Sequence, residues 1–459
     1  MGSQNLGPME QISRRPPQSS AYRFVALGLV WCAYLVVFLS RLCVGPLSPF
    51  LKSSFHLSAA QIGWLTSATA IAYAPSMLVA GWLADRIGVR RVLLAGTLVT
   101  GISIGAVALA PSYAAMLALL ACSGFGCGFI YPSAIKAIMG WFAPRERATA
   151  IGVNQAAVNV SGILGAAIMP TLALRLGWRS GFVLAALLAL AVCAAVALLY
   201  RDAPGHGAVA GPNLAPTAPR AAVRVGLLAV LRSRDIVLLG LAAMFLCMIE
   251  FAAVAQLVLF LKVDWAYTAV AAAGLLAFCQ AAGAVAKPLS GLVSDRLLDH
   301  RRRGPLIGLA VLATLACAFL ALIRPGQTVA LWTALALLGF GAVGWGGLFG
   351  TLAGETAGPA AAGAAAGATG AIDNIGIFIG PPLFGWLVDR TGSYAPAWWT
   401  MCAAGGCACL LLALVREPRH AAQPHGDAEP HGAAQPHVDG RPHVDGPPHA
   451  AAESEGVVL

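Results

Sequence analysis

Charge is what this chain has least of. Only 10% of its 459 residues are Asp, Glu, Lys or Arg, where a soluble domain carries about 25%. With 59% hydrophobic residues, too little polar surface remains to face water, and a soluble globular domain is excluded. Chemistry-bearing clusters are equally scarce. No nucleophile with a base, no metal-ligand cluster and no phosphate loop stands out, and His56, His206 and His300 are isolated. An enzyme is not expected, nor a cofactor, nor a metal site. A disulfide framework is missing too, since all 11 cysteines, Cys32 to Cys409, fall inside apolar runs and read as small packing residues. No cleavable leader is expected, because the first apolar run is long and many follow, so it reads as a first spanning helix. The net charge of +10 does not indicate nucleic acid, since the basic residues stand between apolar stretches as topology signals.

What is present is a train of apolar runs, each long enough to cross about 30 Å of hydrocarbon as a helix. Six are expected at about 23–46 or slightly beyond, 58–85, 92–110, 113–142, 148–174 and 178–200. Six more are expected at about 236–262, 268–294, 305–323, 328–354, 361–388 and 395–415. Ser58-Ala59-Ala60-Gln61 is a capping-box pattern that starts the second, and Arg145-Glu146-Arg147 reads as the loop before the fifth. The Pro- and Gly-rich stretch 201–222 reads as a linker, and Arg224–Arg234 as a short amphipathic helix on the membrane surface. The plan is a disordered N-tail (1–22), a six-helix bundle (23–200), a linker (201–234), a second bundle (235–416) and a disordered C-tail (417–459). His425, His431, His437, His443 and His449 recur in that last tail. Without fixed ligand geometry they read as low complexity rather than a metal site. With both termini cytoplasmic, about twenty of the 29 Lys and Arg fall on that side. Lys52, Arg175, Arg179, Lys262, Arg324 and Arg390 fall outside.

One apolar run is broken by Gly81-Trp82-Leu83-Ala84-Asp85-Arg86-Ile87-Gly88-Val89-Arg90-Arg91, the pattern of a short basic hairpin between two spans. A degenerate copy, Gly291-Leu292-Val293-Ser294-Asp295-Arg296, appears in the second half. The halves also match at a shift of 215: Gly124-Phe125-Gly126 with Gly339-Phe340-Gly341, Asn159 with Asn374, Gly165 with Gly380 and Gly177 with Gly392. A duplicated six-helix unit follows. The hairpin resembles the loop signature of the major facilitator superfamily of transporters. The resemblance implies an all-α integral membrane protein of twelve transmembrane helices in two six-helix bundles. By the same resemblance Gly81, Asp85, Arg86 and Arg90, with Arg145, Glu146, Asp295 and Arg296, belong to a cytoplasmic gate that pairs the bundles when the cavity opens outward.

Five charges belong to no loop: Arg41, Lys136, Lys287, Glu250 and Asp373. A charge at membrane depth costs roughly 2.5–3.5 kcal/mol on insertion scales and normally faces a cavity on a substrate or ion path. The bland alternative is a structural ion pair, Arg41 with Glu250 or Lys287 with Asp373. Helices 1, 4, 7 and 10 line the central cavity in the superfamily, so Arg41 and Lys136 together suggest an anion receptor, Arg as a fork and Lys as a point charge. Leu39-Ser40-Arg41, Pro132 to Lys136, Trp141 to Ala148, Gly177 to Phe182 and Val388 to Ser393 resemble the anion:cation symporter family within it. That implies import of a small organic anion with protons. Lys136 stands where that family often has Arg, and Ser40 where it often has Asp, so Glu250 or Asp373 must carry the proton. Arg41, Lys136, Lys287 and Asn374 are the expected substrate residues.

The expected partners are a small organic anion, a proton and the lipid bilayer. The protein is expected to act as a monomer in a bacterial inner membrane, with both termini cytoplasmic. A drug exporter of the same fold is the first rival. It is disfavoured because no Arg lies between Pro111 and Phe142, and because helix 5 reads Ser161-Gly162-Ile163-Leu164-Gly165 with Pro170 displaced. A non-transporting membrane sensor is the second, disfavoured because no signalling domain is recognisable.

Overall fold

The computed structural model describes residues 21–203, 232–298, 301–358 and 361–416. The expected C-tail, all but the last two residues of the expected N-tail, all but the start of the linker and all but the end of the amphipathic segment lie outside the described residues. Among those described, the chain forms twelve helical rods and no strand. The first six are α1 (Tyr22–Phe55), α2 (Ala59–Ile87), α3 (Val89–Val107), α4 (Tyr113–Trp141), α5 (Pro144–Leu176) and α6 (Arg179–Leu199). The second six are α7 (Arg234–Val263), α8 (Ala269–Leu297), α9 (Arg303–Leu322), α10 (Thr328–Ala357), α11 (Ala362–Thr391) and α12 (Ala395–Leu414). Eleven are long and apolar enough to cross a membrane. The other, α2, has 29 residues and buries Thr66, Ser67, Thr69 and Ser76. Lipid has no water to satisfy a free backbone, so helices closed on themselves are the form such a chain can take.

Several rods run past the boundaries expected from the sequence. The first continues beyond Pro46 to Phe55, bending at Cys43, because Pro46 falls in the first turn after the bend, where its missing N–H costs little. It stops at His56, whose φ of 50° is left-handed. The hairpin between α2 and α3 is the single residue Gly88 at φ +87°, so Asp85 and Arg86 lie in the last turn of α2 rather than in a loop. Arg145-Glu146-Arg147 is likewise helical, in the first turn of α5, because Pro144 occupies the first helical position. The capping box at Ser58 is present: its hydroxyl accepts from Gln61 N at 3.2 Å, and its own N–H donates to Gln61 Oε1 at 2.9 Å.

The two halves repeat their packing as well as their sequence. A Cβ on Gly124 would meet the Thr69 carbonyl of α2 at 2.1 Å, and one on Gly339 the Cys279 carbonyl of α8 at 2.3 Å. Gly126 approaches Gly96 and Thr100 of α3, as Gly341 approaches Leu309 and Ala313 of α9. Small residues let helix backbones approach where lipid supplies no hydrophobic drive between helices. Both fourth helices are also interrupted, α4 at Phe129 and α10 by a π-turn at Gly339–Val343.

The halves meet along α2 with α11 and α5 with α8, and through the second segment of α1 against α7. At the end where α2 begins, the seam is tight. A Cβ on Gly63 would meet Pro381 O at 2.3 Å, and one on Gly385 Ala59 O at 2.2 Å. Both Asp389 carboxylate oxygens accept backbone N–H groups of the first turn of α2, Ala59 and Ala60, each at 2.8 Å. An anion there is favoured by the helix dipole. Gln256 of α7 donates to Ala59 O at 2.8 Å, and Ser67 Oγ to Ile377 O at 3.2 Å. Toward the opposite end, described ion pairs join residues within one half: Arg23 with Glu146 at 2.8 Å, and Arg302 with both Asp295 and Glu355.

Gly385→Val is expected to wedge this seam open while leaving each half folded. Maleimide labelling of Ser67→Cys, which is buried on the seam, should rise in the double variant over the single one. Unchanged labelling would mean the halves are not held by this contact.

Candidate functional site

Arg41 lies just before the bend of α1, 3% exposed. Tyr73, Phe251 and Phe38 stand 4.3, 5.2 and 5.8 Å from its guanidinium carbon, measured to the ring centroids. A cation over a ring face is attracted by the quadrupole. Its Nε and Nη2 are buried without a hydrogen-bond partner. A fork of free donors is what a carboxylate can take bidentately. No acid comes within ion-pair distance of Arg41 among the described residues, so the structural pair with Glu250 is not formed.

The two acids are half-buried and within electrostatic reach of that cation. Glu250, midway along α7, accepts from Trp345 Nε1 of α10 at 3.3 Å. Asp373 of α11 accepts from its neighbour Asn374 Nδ2 at 3.1 Å, and that amide also donates to Gly370 O at 2.6 Å. Lys287 of α8 does not pair with Asp373. Its ammonium donates to Asn159 Oδ1 of α5 at 2.7 Å, and Asn159 Nδ2 reaches Gln280 O at 3.4 Å. Lys287 thus bridges the halves, with Glu250 as the acid within its electrostatic reach.

Lys136 is not brought to Arg41. The Tyr22 and Trp141 rings, 5.0 Å apart, set the ends of α1 and α4 level. At about 1.5 Å per residue, Arg41 then lies roughly 28 Å from that end and Lys136 roughly 8 Å. The two-cation receptor expected from the sequence is therefore replaced by one cation in a ring cage. Lys136 instead donates to Gly81 O of α2.

The expected gate residues gather at the same end as Lys136. Arg86 stacks on Trp82 at 4.0 Å. Arg90 donates from its backbone to Asp202 Oδ1 at 2.9 Å and from its side chain to Ala197 O. Glu146 holds Arg23, Asp295 holds Arg302, and Arg296 is exposed. The side chains of Asp85 and Arg145 lie outside the described set. Tyr73, Phe251 and Trp345 join the central group without having been singled out in the sequence, since an aromatic in an apolar helix carries no signal of its own, and Asn159, marked there only as the repeat match of Asn374, joins them. A shallow groove between α1 and α4, lined by Ala26, Val30, Ala137 and Trp141, lies apart from Arg41, Glu250 and Asp373.

A profile of the Major Facilitator Superfamily matches residues 30–381. A protein named as a probable sulfoacetate transporter of Cupriavidus necator is 25% identical over 42% of this chain and 45% of its own. A hexuronate transporter of Bacillus subtilis is 30% identical over 34% of this chain and 37% of its own. The match thus spans less than half the length of either. A 3-(3-hydroxy-phenyl)propionate transporter of Escherichia coli is 27% identical over 74% of this chain and 78% of its own. Among solved structures, a bacterial homologue of the human lysosomal transporter Spinster, inward-facing and unoccupied, aligns with a TM-score of 0.72. Its sequence is 19% identical, and the alignment covers 86% of this chain and 96% of that one.

Arg41→Gln is expected to leave the thermal midpoint of the empty protein unchanged or to raise it. Roughly 2 kcal/mol of lost cation–π attraction is offset by relief of buried unpaired donors at about 1–3 kcal/mol each. A marked fall in the midpoint, measured on detergent-purified protein, would make Arg41 a structural strut.

Proposed function

The chain belongs to the Major Facilitator Superfamily, and on that footing we propose that it imports a small organic anion, a carboxylate or sugar acid, together with a proton. The observation that carries the reading is Arg41, a buried cation with free donors and no anionic partner near the middle of the two-half assembly. Such a charge is stabilised when an anion arrives. Three relatives named for sulfoacetate, hexuronate and 3-(3-hydroxy-phenyl)propionate support it, since all three compounds are anions.

The halves rock about this centre. With the Asp389 end closed, the basic end is the side of access, and the positive-inside rule assigns that side to the cytoplasm of a bacterial inner membrane. Both termini then lie in the cytoplasm, and one chain suffices for the cycle. In the opposite state Asp85, Arg86, Arg145 and Glu146 serve as the gate that closes the basic end.

Glu250 is the proton carrier in this reading. An anion on Arg41 weakens the hold of that cation on the nearby acids and so favours their protonation. Lys287, shared between Asn159 of the other half and the field of Glu250, transmits the change across the seam. Asp373 and Asn374 complete the wall.

Glu250→Gln, reconstituted in proteoliposomes, is expected to lose proton-driven uptake and to keep counterflow exchange. Loss of both in folded protein would remove Glu250 from the coupling role. A thermal-stability screen against carboxylates, sugar acids, phosphate esters and lipophilic cations tests the anion itself. A ligand of the native state stabilises by RT ln(1 + [L]/Kd), so millimolar binders register. Shifts should come from anions and vanish in Arg41→Gln. Shifts from lipophilic cations alone would favour an exporter.

A further inference from the structure

The groups packed around Arg41 are rings rather than amides or carboxylates. Tyr73 comes from α2, Phe38 from α1 and Phe251 from α7. Tyr34 extends the set, 4.9 Å from Phe38 and 6.3 Å from Tyr131 by ring centroids. The hydroxyls of Tyr34, Tyr73 and Tyr131 take no hydrogen-bond partner among the described residues. Cation, rings and phenols form the immediate cage, with the Glu250 and Asp373 carboxylates within electrostatic reach but beyond ion-pair distance of Arg41.

We propose that the anion taken by Arg41 is an aromatic carboxylate, its acid group on the guanidinium and its ring among Tyr73, Phe251 and Phe38. This deepens the reading of Arg41 as the anion site and rests on it. A sugar acid buries several hydroxyls, and each one left without a partner weakens binding. The side chains stacked on the guanidinium offer only the Tyr73 phenol as such a partner, the carboxylates of Glu250 and Asp373 standing outside that ring layer. An aryl ring asks for none, and it gains from offset or edge-on contact with rings already in place. The free phenols fit the carboxylate lone pairs that Arg41 leaves over, or a hydroxyl carried on the substrate ring. Tyr73 and Phe251 belong to opposite halves, so a ring between them contacts both and favours the state in which they are closest.

The test compares three probes on purified full-length protein: phenylacetate, cyclohexylacetate and glucuronate. The first two share an acid group and a similar size and differ in the π-system. Phenylacetate is expected to bind roughly three- to tenfold more tightly than cyclohexylacetate, and more tightly than glucuronate. Phe251→Leu should erase the preference between the two acetates while retaining Arg41-dependent binding of both, and Phe251→Tyr should restore it. Tighter Arg41-dependent binding of glucuronate, or equal binding of the two acetates in wild type, overturns the aromatic class and leaves the anion reading standing. Absence of any anion effect on folded wild-type protein overturns the anion reading itself.

Discussion

A guanidinium at membrane depth must be compensated by something, and in this protein no carboxylate supplies the compensation directly. The rings of Tyr73, Phe251 and Phe38 surround Arg41, while Glu250 and Asp373 stand near enough to be felt and too far to pair. The arrangement is only partly satisfied, since Nε and Nη2 keep no partner. A satisfied ion pair at this point would lock α1 to α7 or α11. An unsatisfied one leaves the centre responsive to whatever anion enters. In the proposed reading, that incompleteness suits the site to an arriving anion.

Around that centre the two halves are held by close contacts of backbone with backbone. Gly63, Gly385 and Gly45 have no room for a side chain because a carbonyl of the other half occupies the space. These contacts cluster at one end, where Asp389 and Gln256 add polar clasps to the first turn of α2. Toward the opposite end, two of the described ion pairs, Arg23 with Glu146 and Arg302 with Asp295, each join residues of one half. A seam clasped at one end is compatible with a carrier in one state of its cycle.

Much of this was readable in the sequence because bilayer physics leaves strong marks. Twelve runs, the Ser58 capping box and the repeated Gly-Phe-Gly each map onto a feature found. Helix ends were less legible: Pro144 and Pro46 read as breaks, whereas proline in a first turn starts or tolerates a helix. Arg41, Glu250 and Asp373 stood out as charges where charge is expensive, and the structure brings them together. Lys136 stood out by the same rule, yet its place five residues before Trp141 already put it near the surface. The depth arithmetic, not the chemistry, separates it from Arg41. Illegible were the partners that need three dimensions: Asn159 under Lys287, Trp345 against Glu250, and the rings of the cage, which lie on three different helices.

The clasp at Asp389 joins one side chain to two main-chain N–H groups. Every residue but proline offers such a group, so the half-buried Ala60 can be replaced without altering what Asp389 grips, whereas Ala59 is confined by its burial to a small side chain. The reverse does not hold, because the acceptor is one carboxylate on α11. Sequence drift across this junction is therefore lopsided: on the α2 side the hydrogen bonds themselves put no demand on side-chain identity, and the burden of supplying the acceptor falls on a single codon.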